Sequence, residues 1–188
     1  MDYRRFFESH DRLASQKQIG LIKSDLMNEF VSAFVDDHSI ETKFKALVLI
    51  SLSGGLRVSE AFKLKKEDFL SEDGVLYIRV SVLKKKRREK RWARIHPLAL
   101  EFIQNYISTI VGPVVRMSQP TAYRKTKKYF GVAGVCNHSL RHSNISYMLF
   151  EENMNHIKLA KLLHINVNTI EHYSHLNEKR TLKSVFVA

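Results

Sequence analysis

The chain has 188 residues, 44% hydrophobic and 27% charged, the balance of a soluble globular protein with one sizeable core. Lys and Arg number 31 against 19 Asp and Glu, a formal charge of +12. That surplus favours a polyanionic partner, nucleic acid ahead of an anionic membrane. The single cysteine, Cys136, excludes an intrachain disulfide and a cysteine-rich zinc site and fits a reducing compartment. No apolar run approaches the roughly 20 residues of a membrane span, and Met1-Asp2-Tyr3-Arg4-Arg5 is not followed by a secretory apolar core. A cytoplasmic location and no membrane association are expected.

In chain order, residues 1–18 are polar and charged and read as a helix or loose arm. Leu21, Ile22, Leu26, Phe30 and Phe34 recur at helical spacing, predicting a helix from Ile19 to Phe34 with Ser24 as a candidate cap. Glu41 to Leu52 reads as a second helix, apolar enough after Lys45 to be buried. Gly54-Gly55 ends it, and Ser59 can cap a short helix to about Leu64. The period then changes. Val75 to Val82 is rich in β-branched residues and reads as a strand, with Arg91 to His96 as its partner across a polar turn and a third short strand near Asp68–Ser71. Helical pattern returns at Leu98–Ile110, Pro120–Tyr129, Ser139–Glu152, Ile157–Leu163 and Val167–Tyr173. The expected class is mostly α with a small three-stranded antiparallel sheet (α+β).

Four short segments carry groups suited to phosphate chemistry. Gly54-Gly55-Leu56-Arg57-Val58-Ser59-Glu60 puts an arginine after a glycine turn at a helix start. His138-Ser139-Leu140-Arg141-His142 places a histidine and an arginine one helical turn apart. Leu162-Leu163-His164 follows, and Tyr173 lies within His172-Tyr173-Ser174-His175. Arginine forks bind phosphate in a bidentate manner, and a tyrosine can act as a covalent nucleophile. Displacement at phosphorus needs preorganised cations at the non-bridging oxygens and an acid for the leaving oxygen.

In order and interval these segments resemble the motifs of the tyrosine recombinase (phage integrase) family over roughly residues 20 to 180. The resemblance implies that Arg57 and Arg141 clamp a scissile DNA phosphate. It implies that His138 and His164 hydrogen-bond that phosphate and help proton transfer, that Tyr173 forms a 3′-phosphotyrosyl link, and that Glu60 braces the site. The family also places a catalytic lysine in the hairpin turn, where this chain offers Lys84, Lys85, Lys86 and Lys90, with Lys84 or Lys85 favoured. Leu163 stands where the family usually has glycine. Full recombinases carry an N-terminal core-binding domain, so the chain reads as a catalytic portion of a longer integrase or as a minimal enzyme. The division expected is an arm over 1–18 and a catalytic domain over 19–188, with a tail from about 176.

The implied reaction is site-specific recombination or integration on double-stranded DNA, metal-independent and without a cofactor, carried out by a homo-tetramer on DNA. A non-catalytic DNA-binding regulator and a type IB topoisomerase-like relaxing enzyme are the alternatives. Lys86, Arg87, Arg88 and Lys90 in the turn, and Arg124 and Lys127 on a basic helix, are candidate DNA contacts. Each residue also has an ordinary reading. Arg57 can be a surface ion-pairing residue, Tyr173 a core tyrosine, and the basic run a solvated turn. His138 and His142 are spaced for a metal, but no carboxylate or cysteine completes a set. The apolar Leu182–Val187 suits packing on a neighbouring protomer or on its own core.

Overall fold

The computed structural model describes residues 1–12, 15–84, 87–132, 134–171 and 173. Two antiparallel strands, β1 (Phe7–Arg12) and β2 (Ser15–Ile22), open the chain. Helices α1 (Met27–Asp36), α2 (Thr42–Gly54) and the short α3 (Val58–Ala61) follow. Next come strands β3 (Phe69–Glu72), β4 (Val75–Lys84) and β5 (Arg87–Arg94), then helices α4 (Leu100–Thr109), α5 (Gln119–Phe130), α6 (Asn137–Phe150) and α7 (His156–Leu163). The second sheet runs β3-β4-β5, antiparallel throughout. This is the α+β class read from the sequence, with the third strand where it was expected. Among the described residues no helix is long and apolar enough to cross a membrane.

Helix α2 is buried almost along its whole length, as its unbroken run Ala46-Leu47-Val48-Leu49-Ile50 requires. The alternation of β4 sends Ile78, Val80 and Val82 into the core, the period-two pattern of a strand with one covered face. Helix α5 starts at Ser118, whose Oγ accepts from the Thr121 amide at 3.3 Å. Helix α7 starts at Asn155, whose side chain accepts from the Ile157 amide at 2.8 Å.

The beginning of the chain differs from its sequence reading. Residues 15–22 form a strand where one helix from Ile19 was expected, and α1 begins only at Met27. The apolar spacing that suggested a helix belongs to two elements joined by a 3-10 turn at Ser24–Leu26. The residue at the cap position of α1 is Leu26, not Ser24, whose hydroxyl donates to Glu151 Oε1 at 2.7 Å. Nor do residues 3–12 and 15–18 form a helix or a loose arm. Tyr3 and Phe6 sit in a 3-10 turn with rings fully buried among Phe7, Phe30, Phe34 and Phe130. The Tyr3 hydroxyl donates to Asp37 Oδ2 at 2.8 Å. Three aromatic residues buried this way outweigh the polar average of the segment.

A second, smaller apolar cluster positions the end of the described chain. Leu159, Leu163, Ile170 and Tyr173 pack on Ile145 and Leu149 of α6, and residues 167–171 are helical. The segment Leu182–Val187 lies outside the described residues.

Candidate active site

The site is built around the C-terminus of α2. Gly55 caps that helix at φ 55°, the left-handed region in which glycine is unstrained. Space enforces the same choice, because a Cβ at Gly55 would lie 2.5 Å from Asn144 Oδ1. The turn delivers Arg57 to the start of α3 in an extended conformation. Ser59 was expected to cap α3, but the cap residue is Arg57. Its amide donates to Glu60 Oε2 at 2.9 Å, so Glu60 folds back over the helix start.

The terminal carbonyls of α2 have no partners within the helix. Two buried arginines supply them. Arg91, from β5, donates to Gly54 O through Nη1 and Nη2, each at 3.1 Å, and to Gly55 O at 3.4 Å. Arg141, from α6, donates to Gly55 O at 2.5 Å and to Leu163 O at 3.4 Å. Cations at a helix C-terminus also meet the negative end of its dipole.

Glu60 joins all three arginines. Its carboxylate lies 2.8 Å from Arg57 Nη1, 3.3 Å from Arg91 Nη2 and 3.8 Å from Arg141 Nη1. Glu60, Arg91 and Arg141 are buried, whereas the Arg57 side chain is 39% exposed. Burial opposes ionisation of Glu60, but the Arg57 amide and the surrounding guanidinium groups outweigh it and hold the carboxyl below its ordinary value. Burial, reinforced by the neighbouring Arg57 cation, pushes Arg141 down to about 10. It remains charged at neutral pH. Three cations around one anion leave a local positive surplus, and Arg57 brings it to the surface. Such a cluster is preorganised for an anionic group.

A second row lies on α6. The rings of His138 and His142 meet edge to face with centroids 4.4 Å apart, as their i, i+4 spacing dictates. His142 Nδ1 shares a hydrogen bond with the Tyr173 hydroxyl, and Tyr173 is 7% exposed. Tyr173 is therefore held on the same helix that carries His138 and Arg141, within one chain. Among the described residues no group of three or more His, Cys, Asp or Glu is placed to hold a metal ion.

His164 is the residue after α7, at φ 52°. Leu163, where the resembled family usually has glycine, is an ordinary last helical residue, 2% exposed. The left-handed turn falls on His164 itself, so glycine is not needed one position earlier. His164 Nδ1 lies 2.8 Å from Glu89 Oε2.

Of the residues singled out in the sequence, Arg57, Glu60 and Arg141 come together, and His138 and Tyr173 meet through His142. His164 is tied to the first group by the Arg141 bond to its neighbour Leu163. Lys85 and Lys86 lie outside the described residues. Lys84 pairs with Arg87 at the end of the hairpin, Arg88 opposes Leu83, and Lys90 is exposed opposite Ser81. Arg124 and Lys127 are exposed on α5. The Thr126 hydroxyl binds the Asn137 side chain, which joins α5 to the end of α6 where His138 sits. Sequence reasoning missed Arg91, Glu89 and His142. For Arg91 a signal existed, since it alternates in phase with the buried Ala93 and Ile95.

Residues 22–180 match the model of the Phage integrase family. A probable integrase/recombinase of Acholeplasma phage L2 is 28% identical over 155 residues, 74% of this chain and 51% of that protein. The chain thus spans about half the length of the curated relative it matches. Among solved structures, the XerH site-specific recombinase in a post-cleavage complex with palindromic difH is similar at TM-score 0.65 and 20% identity, over 85% of this chain and 50% of that one. XerA recombinase is similar at TM-score 0.66 and 21% identity, over 95% and 66%. The Tn1549 transposon integrase in complex with circular intermediate DNA is similar at TM-score 0.55 and 17% identity, over 82% and 64%. These likenesses show a shared fold, and with the family match over most of its length the chain belongs to the phage integrase family.

Proposed function

We propose that this chain is the catalytic unit of a site-specific DNA recombinase that cuts and rejoins strands through Tyr173. The observation that carries the reading is the cluster of Arg57, Arg91 and Arg141 around Glu60, with Tyr173 anchored on the helix that supplies Arg141. A scissile phosphate bound over Arg57 and Arg141 has its non-bridging oxygens neutralised as they gain charge. Tyr173 Oη attacks phosphorus, forming the 3′-phosphotyrosyl bond as the bond to the 5′-oxygen breaks. The phenolic proton has a ready acceptor in His142 Nδ1, and the 5′-oxygen takes a proton from a hairpin lysine, Lys84 or Lys85. His138 and His164 hydrogen-bond the phosphate, and Glu60 braces the arginines. Rejoining reverses these steps.

The contact of Tyr173 with His142 of the same chain supports attack within one protomer. Strand exchange joins two duplexes, which on this reading takes four protomers on DNA. Lys86, Arg87, Arg88 and Lys90 in the hairpin and Arg124 and Lys127 on α5 contact the DNA backbone. The family match, the phage relative and the DNA complexes formed by similar structures support this assignment.

Nicked duplexes carrying candidate attachment sequences test the reading, because loss of the short cleaved fragment prevents rejoining. The expected result is protein-linked 3′ ends and free 5′-hydroxyl ends, formed equally with and without chelator. Tight, specific binding to a duplex that is never cut would favour a non-catalytic regulator instead.

A further inference from the structure

We infer that Glu89 is a positioning residue for His164, an inference that rests on the catalytic reading above. Glu89 lies on β5, opposite Val82 and two residues before Arg91. Residues two apart share a face of a strand. One face of β5 therefore sends Arg91 to Glu60 and Glu89 to His164. The backbone of His164 is fixed by its place at the end of α7, where its amide donates to Lys161 O at 3.2 Å. The ring still needs an orientation, and the 2.8 Å contact between Nδ1 and the Glu89 carboxylate supplies it.

An ionised carboxylate only accepts hydrogen bonds, so Nδ1 carries a proton. Nε2 is then the nitrogen left for the phosphate. It donates when the ring is doubly protonated and accepts a proton when the ring is neutral. Both states carry a proton on Nδ1, so the Glu89 carboxylate suits each of them, and in the neutral ring it fixes which nitrogen is left to accept. The pair also ties the turn end of the lysine-bearing hairpin, two pairings from Lys84 and Arg87, to the end of α7. The side chains are 39% exposed for Glu89 and 23% for His164, so removing the carboxylate leaves the core intact.

Two readouts test the inference on the whole chain. The first is long-range proton–nitrogen NMR on protein labelled in its histidine rings, with His164 assigned through His164→Gln. The wild type should show a protonated Nδ1, and Glu89→Ala should return the neutral ring to the Nε2–H form. The second is the rate of covalent trapping on a nicked duplex. Glu89→Ala should slow it by about 10- to 100-fold, the range for losing a carboxylate that orients a functional histidine, with DNA affinity little changed. In a His164→Ala background the same change should cost less than about twofold, because the two residues act as one unit.

An unchanged His164 tautomer in Glu89→Ala would overturn the inference. So would normal trapping by Glu89→Ala alongside active wild type. If wild type itself traps on no duplex, the functional reading fails, and any role for Glu89 in strand cleavage fails with it.

Discussion

Glu60 and Arg91 lie 3.3 Å apart with both side chains buried, one reaching in from α3 and the other from β5. The pair joins the sheet to the turn that presents Arg57, and Arg91 also satisfies the last carbonyls of α2. Removing Arg91 takes one buried cation from Glu60 and leaves the Gly54 carbonyl without its side-chain donors, and breaking such a buried pair costs more than the pair contributes. Arg91→Ala is expected to destabilise the fold by about 3–5 kcal/mol. Equilibrium urea unfolding checks this, and a loss under about 1 kcal/mol, the scale of an exposed pair, would show that Arg91 does not close the frame.

The same carboxylate should shape the acid side of the stability profile. Glu60 is held below its ordinary 4.5 in the folded state. Its stabilising contribution is therefore complete above that value and is lost as pH falls through the lower folded pKa. Asp37 adds a second limb further down. The Ser39 hydroxyl, with help from the Tyr3 phenol and against partial burial, holds it at about 2, below its ordinary 3.8. Thermal unfolding across the acid range should show Glu60→Gln flattening the upper part of the decline and Asp37→Asn the lower. Identical slopes in Glu60→Gln and wild type would contradict the pairing.

DNA affinity should depend on charge at α5. If Arg124 and Lys127 each contact a phosphate, replacing both with alanine should weaken binding about equally on all sequences. It should also reduce the slope of log affinity against log salt by about 2, near one unit per lost contact. Fluorescence anisotropy over a salt series reads both. An unchanged slope would place α5 away from the DNA.

The sheet and the buried helix were legible because their patterns were local. Val75–Val82 is rich in β-branched and aromatic residues, and Ala46–Ile50 leaves no polar face. The motifs of the candidate site were legible as patterns because Arg57, His138, Arg141, His164 and Tyr173 each sit in a short recognisable segment. The first 22 residues were misread because their fold depends on distant partners. Tyr3 and Phe6 are buried by Phe30 and Phe130, and β2 is held by its pairing with β1 and by the Ser143 hydroxyl that accepts from the Ile22 amide. Helical spacing of apolar residues cannot report such contacts. Glu89 and His142 were missed for a related reason. Their roles arise from residues 75 and 31 positions away; the spacing of His142 from His138 suggested only a metal pair, and nothing near Glu89 marks it.

The central claim is that Tyr173 takes up the DNA phosphate beside Arg57 and Arg141. Peptide mass mapping of the adduct trapped on a nicked duplex tests it most directly. The expected product is an oligonucleotide joined through its 3′-phosphate to the peptide containing Tyr173, formed without added metal and lost in Tyr173→Phe. An adduct on any other residue, or one that survives in Tyr173→Phe, would contradict it.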